Sequence, residues 1–186
     1  MGRLKPLTAE LLNQEQKDLL NEIQSGPRGQ TLGDNALVGP FGVWVRVPEI
    51  GNPIQALGEA IRFNSPLDDQ VREIIICTVG SFYKARFEVA VHLQLALKYG
   101  ADEKQLMKLC RDEVPNFPEG QQVAYQLAIE MLKNKSVSST SYKRATTFFS
   151  EEELISIVAT VGYYCLVSHT LNTFNIPLEP DMKEPF

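Results

Sequence analysis

Between Val71 and Gly100 the chain reads VREIIICTVGSFYKARFEVAVHLQLALKYG, two apolar runs of helix length separated by a short turn. This stretch narrows the possible folds more than any other. Both runs read as helices buried among other helices. Yet Glu73, Glu88 and His92 lie inside them. Burying carboxylates and an imidazole is costly unless they pair with one another or with a bound group. The stretch therefore asks for a helical core around it and for a use, catalytic or structural, of its ionisable side chains.

The flanking sequence supplies that helical context. Thr8 is expected to N-cap a first helix carrying Leu11, Leu12, Leu19, Leu20 and Ile23, ended by Gly26-Pro27. Residues 26–40 read as a Gly-rich polar loop, long enough to pack over a site or a partner. Phe41 to Val47 alternates like a strand, but no second strand signal pairs with it, so a short helix is expected. Pro48 opens the next helix, with Pro53 near its start, and Asn64-Ser65-Pro66 breaks it. Asp68 or Asp69 begins a helix reaching Phe82, and another spans about Lys84 to Tyr99, stopped by Gly100. Asp102 caps the next, ending near Arg111; Glu119 to Lys133 is amphipathic; Ser138 to Ser141 opens one that ends at Phe149. Ser150 followed by three glutamates begins a long apolar helix through Phe174, ended by Pro177. The reading is an all-α chain of about eight or nine helices forming one domain over 1–186. An N-terminal helical arm covers about 1–37 and a polar tail about 178–186. Neither βαβ alternation nor a solenoid repeat is visible.

Composition restricts the function classes. With 186 residues, 44% of them hydrophobic, the chain can bury a core without disulfides or metals. The formal charge is −5 and the 18 basic residues are scattered, which argues against nucleic acid as a partner. Cys77, Cys110 and Cys165 are odd in number and far apart, so they read as buried free thiols of a reducing compartment. No leader and no segment of membrane-span length is seen, so a cytoplasmic protein is expected. The expected partners are a small-molecule substrate and other copies of the chain.

On a helical wheel Glu88 and His92, four residues apart, share a face with Ala85, Ala96 and Tyr99 nearby. The two alanines are expected to leave room for a ligand. On the preceding helix Glu73 shares a face with the small residues Cys77 and Gly80. A turn around Ser81–Tyr83 would set the helices antiparallel, so that Glu73 approaches His92 or Glu88. Such a cluster can transfer protons: imidazole titrates near neutrality, and a neighbouring carboxylate fixes its tautomer and favours its cation. Metal binding ranks below proton transfer with a single local histidine. A satisfied Glu–His hydrogen bond is the bland alternative. Trp44 and Arg46 could meet an apolar body and a carboxylate, Cys77 could line the site and Tyr83 could donate to it. His169 reads as a core or interface histidine, and Arg72 as an ion-pair partner or interface residue.

These residues carry a resemblance. Arg72-Glu73, Phe87-Glu88, His92, Ala96 and Gly100 resemble the carboxymuconolactone decarboxylase superfamily, which includes the AhpD alkylhydroperoxidase proteins. GPFGVWVRVPEI (Gly39–Ile50) and LNTFNIPLEP (Leu171–Pro180) resemble its longer members. The resemblance implies an AhpD-like helical bundle, assembly as a trimer or hexamer, and no cofactor. The peroxidase branch has a Cys-x-x-Cys pair four residues ahead of a histidine. Here Ala85 and Glu88 stand at those positions, and no other cysteine replaces the pair. The distal acid of that branch falls on Glu73 and the aromatic-Glu pair of the decarboxylase branch on Phe87-Glu88. The resemblance therefore implies a cofactor-independent lyase acting on a carboxylated lactone or β-carbonyl acid. His92 would stabilise or protonate the enolate, Glu88 would orient His92, and Glu73 would relay a proton or tune the imidazole. Arg46 is the candidate for holding the substrate's carboxylate. AhpD-like hydroperoxide reduction, a peroxiredoxin-type activity, and a non-catalytic oligomeric binding role are the alternatives.

Overall fold

The computed structural model describes residues 2–29 and 36–186. Among these the chain is all-helical, with nine α-helices and no strand. Part of the 26–40 segment, residues 30–35, lies outside the described residues. The chain divides into two compact units: Met1–Asn64 with Thr170–Pro177, and Ser65–His169 with Leu178–Phe186.

In the first unit a 3-10 turn, Ala9–Leu11, precedes α1 (Gln14–Ser25). Thr8 precedes only the 3-10 turn and makes no side-chain cap. The α-helical cap is Asn13: its side chain accepts from Gln16 N at 2.9 Å while its own N–H donates to Gln16 Oε1 at 3.1 Å. This reciprocal box satisfies two end donors at once, whereas Thr8 has no Glu or Gln three residues on. The apolar segment at Phe41 folds as a short helix, α2 (Phe41–Trp44), and α3 (Pro48–Phe63) follows with Pro48 in its first turn. Leu12, Leu19, Leu20, Ile23, Ala36 and Val45 make the core of this unit. A buried arginine, Arg28, spans it: Nη1 donates to the Gln55 carbonyl at 2.8 Å and to Gln55 Oε1 at 3.1 Å, with Glu59 at 3.8 Å.

The second unit is built on a helical hairpin of α4 (Asp69–Phe82) and α5 (Arg86–Lys98). Asp68 caps α4 by accepting from Gln70 N and Val71 N. Every residue from Val71 to Ser81 is buried, so α4 has no solvent face; that explains its run of isoleucines and the absence of amphipathic spacing. Gln70 Nε2 donates to the Tyr99 carbonyl and Glu73 meets His92, a pairing that makes the helices antiparallel. The connecting turn places Lys84 in the left-handed region (φ 52°), and α5 starts at Arg86, two residues later than the sequence suggests. Gly100, with φ 86°, terminates that stretch as its glycine predicts.

Next come α6 (Glu103–Cys110), capped by Asp102, α7 (Glu119–Asn134), α8 (Ser139–Ala145), capped by Ser138, and α9 (Glu151–Phe174). Ser150 and Glu153 form the expected capping box of α9. From Leu154 to Phe174 α9 carries no Asp, Glu, Lys or Arg, so, contrary to the sequence reading, one helix is long and apolar enough to cross a membrane by length and composition. Ile157, Thr160, Val161, Tyr164, Val167, Ser168 and Leu171 are nevertheless buried, the pattern of a core helix. Ile155, Val158 and Leu166 remain exposed. The C-terminal tail bonds to the hairpin: Glu184 pairs with Arg86, and the Lys84 ammonium lies 4.8 Å from the centre of the Phe186 ring.

Candidate functional site

The antiparallel hairpin brings the three ionisable residues together. His92 Nδ1 is 2.5 Å from Glu73 Oε2, and His92 Nε2 is 2.9 Å from Glu88 Oε1. Helical spacing alone places Glu88 beside His92, one turn apart on α5. Glu73 arrives from α4 on the opposite side of the ring. Both imidazole nitrogens are thus engaged by carboxylates, an arrangement that requires two N–H groups if both acids are ionised. Glu73 is fully sealed, while the His92 and Glu88 side chains each keep 6% exposure, so any approach from solvent is at the α5 end of the cluster.

Electrostatics agrees with the geometry. Burial alone would push the His92 pKa down, but the charges of Glu73 and Glu88 and their hydrogen bonds outweigh it and hold the group at about 9. The ring is therefore an imidazolium at neutral pH, donating from both nitrogens. Charge-assisted bonds of this kind are short and strong. Tyr164 of α9 packs edge-on against the His92 ring, with centroids 5.2 Å apart, and Tyr163 packs in turn on Tyr164. Nothing in the sequence spacing of either tyrosine signals the contact.

A fourth charged residue completes the cluster. Arg72 is buried, with Nη1 2.6 Å from Asp69 Oδ1 and with Nε and Nη2 each 3.5 Å from Glu73 Oε1. It is the ion-pair partner that the sequence reading offers as one of two roles.

Core side chains pack against the small residues Gly80, Cys77 and Ala96. A Cβ on Gly80 would lie 2.8 Å from Val89 Cγ2 and 3.6 Å from Glu88 Cγ. The glycine serves close approach of α4 to α5 and leaves no ligand space. Ala96 and Cys77 sit with Ile74, Val89 and Leu93 in the hydrophobic core of the unit. Helix packing close to crystal density takes up the volume that small side chains release.

The other sequence candidates have partners of their own. Arg46 belongs to the first unit, where Nε donates to the Gly42 carbonyl at 3.0 Å and Nη2 to the Lys5 carbonyl at 2.6 Å. Trp44 is buried there, with Nε1 3.4 Å from Thr170 Oγ1. Tyr83 is half-buried, bonds to Cys165 and stacks edge-on with His169 at 4.8 Å. His169 itself is exposed in the single chain, which does not fit the core alternative of the core-or-interface reading. All three cysteines are free thiols. Burial pushes the pKa of each one up, that of Cys77 furthest, since the charges of Glu73 and Glu88 add to it. Among the described residues no group of three or more His, Cys, Asp or Glu has the geometry of a metal site.

Comparison with known proteins agrees with this architecture. Residues 48–116, which hold α3 to α6 and the whole cluster, match the carboxymuconolactone decarboxylase family. Similar solved structures include an AhpD-core, uncharacterized peroxidase-related protein from Ralstonia eutropha JMP134 (TM-score 0.79, 15% identity, covering 97% of this chain and 93% of that one). A second peroxidase-related protein, from Silicibacter sp. TM1040, has TM-score 0.75 and 16% identity, with the same coverages of 97% and 93%. The debrominase Bmp8 in complex with 2,3,4-tribromopyrrole has TM-score 0.70 and 15% identity, covering 91% of this chain and 90% of that one. At such identities the likeness is one of fold. No curated protein matches. The family match thus covers the helical hairpin and its flanks, less than half of the chain, and the fold is similar to that of the AhpD-core and peroxidase-related structures.

Proposed function

We propose that the chain is a cofactor-independent acid–base lyase that decarboxylates a small carboxylated lactone or β-carbonyl acid. The observation that supports this is the imidazolium held between two carboxylates, Glu73–His92–Glu88. Loss of CO₂ from such a substrate leaves its bonding electrons on an enolate, which needs one proton on carbon. His92 stores that proton. Because both ring nitrogens already donate, the imidazolium passes its proton to Glu88, and the resulting Glu88 carboxylic acid hands it to the enolate carbon. Glu73 stays an anion and stabilises the ring while it is charged. Re-protonation of His92 from water resets the site. This assigns Glu88 the contact with substrate and His92 the reservoir, in place of direct donation by His92. A positioned donor of this kind contributes about 10²–10⁴-fold in rate.

Peroxide reduction has less support. It needs an accessible thiolate and a resolving partner, whereas burial raises the pKa of every thiol here. The test is CO₂ release from a panel of β-keto acids and carboxylated lactones, with peroxide consumption measured in parallel. Glu88→Gln is expected to lose about 10²–10⁴-fold of decarboxylation, while a variant with serine at all three cysteine positions keeps it. Peroxide consumption that depends on Cys77 would replace the acid–base reading. If Glu88→Gln and His92→Ala change only thermal stability and no probe raises the melting temperature, the enzyme reading fails.

A further inference from the structure

The charge count of the cluster gives Arg72 a part beyond packing. Glu73 and Glu88 bring two negative charges into a region that excludes water, and the His92 imidazolium cancels one of them. Asp69 lies half in solvent, which weakens its charge without cancelling it, 2.6 Å from Arg72 Nη1. Among the described residues of the second unit, Arg72 is the buried, permanently charged cation beside the relay. Its guanidinium lies along Glu73 Oε1 while Glu73 Oε2 faces His92 Nδ1, so one carboxylate is shared between a fixed cation and a titrating one. Arg72 Nε makes no hydrogen bond, so its relation to Glu73 is one of charge rather than of a tight fork.

We infer that Arg72 is a positioning residue that keeps Glu73 an anion and thereby keeps the relay proton on His92 rather than on the carboxylate. The inference rests on the acid–base reading for its purpose but not for its measurement. With Arg72 present the buried set is neutral: two carboxylates, one imidazolium and one guanidinium. Without it the set is an anion in a low-dielectric interior, and a further proton would bind at higher pH. Among the described residues, the groups beside the set include Asp69 and Cys77 on α4 and Tyr164 on α9. Of these three Asp69 carries the charge, and it opposes Arg72.

The experiment is a titration of the free protein. The chain has two histidines, so a His169→Gln background leaves His92 as the single imidazole signal in ¹⁵N NMR, with ¹³C-labelled glutamate reporting the carboxyls. Arg72→Met is expected to move the acid-side step of the cluster up by about one pH unit or more. Arg72→Lys, which keeps the charge, is expected to restore most of that shift. Asp69→Asn, at a half-exposed position, is expected to move the step in the opposite direction and serves even if Arg72→Met fails to fold. A folded Arg72→Met protein with an unmoved step overturns the inference. So does an Arg72→Lys protein that shifts as far as Arg72→Met, or an Asp69→Asn protein with no shift. Because no substrate is present, loss of the decarboxylase reading would leave these results intact, and failure here would leave that reading standing without Arg72.

Discussion

Each of the two units buries an arginine, and the two are used differently. Arg28 donates to the carbonyl and side-chain oxygen of Gln55, neutral acceptors whose protonation never changes. Those bonds hold chain segments together, while the Glu59 carboxylate stands off at 3.8 Å. Arg72 lies instead along a carboxylate that is bonded to an imidazolium. There the same side chain sets which groups are charged. A buried cation reads as structural when its acceptors are carbonyls, and as electrostatic when its neighbours titrate.

The largest effect that sharpens this contrast is expected at Glu73. Glu73→Ala strips the relay of one carboxylate and leaves Arg72 and His92 without their shared anion, which costs about 3–5 kcal/mol in urea denaturation. A cost below about 1 kcal/mol would make the cluster no more than an ordinary polar contact. Next is the pH dependence of stability. The folded pKa of His92, about 9, lies above the ordinary 6.5, so folding binds the proton more tightly than the unfolded chain does. This contribution is complete below about 6.5 and is lost as pH rises through about 9. It amounts to something on the order of 3 kcal/mol, measured as the fall in unfolding free energy across that window. His92→Gln should remove the slope. The smallest effect is expected at Arg28: Arg28→Met leaves a buried carbonyl without its donor, at about 1–3 kcal/mol, and leaves the His92 titration where it was. A shift of that titration would erase the distinction between the two arginines.

Much of the second unit is legible from local signals. Asp68, Asp102, Ser138 and Ser150 cap the helices expected of them, and Gly100 ends α5. The Glu88–His92 pair follows from the pitch of a helix, and the short turn after Phe82 makes an approach of Glu73 to the pair foreseeable. The N-terminal cap was misplaced because Thr8 matches the residue type but lacks the reciprocal partner that Gln16 offers Asn13. The membrane-length run in α9 was overlooked because its serine, threonine, asparagine and tyrosine residues interrupt the apolar pattern without adding a charge.

Other features depend on which side chains meet after folding. Small residues at Cys77, Gly80 and Ala96 suggest a cavity to the sequence, but Val89 and the core fill it. Tyr164 touches His92 from a helix 72 positions on, beyond any periodicity. Arg46 spends its donors on the carbonyls of Lys5 and Gly42, which no motif announces. By itself, then, the sequence determined the helices, most of their caps and one face carrying an acid and an imidazole, because these depend on hydrogen bonds and spacing within a few residues. The tertiary structure alone decided that both ring nitrogens meet carboxylates, that the ring is charged at neutral pH and that a guanidinium balances the set. Proton affinity depends on burial and on charges from other helices, and those exist only once the helices pack.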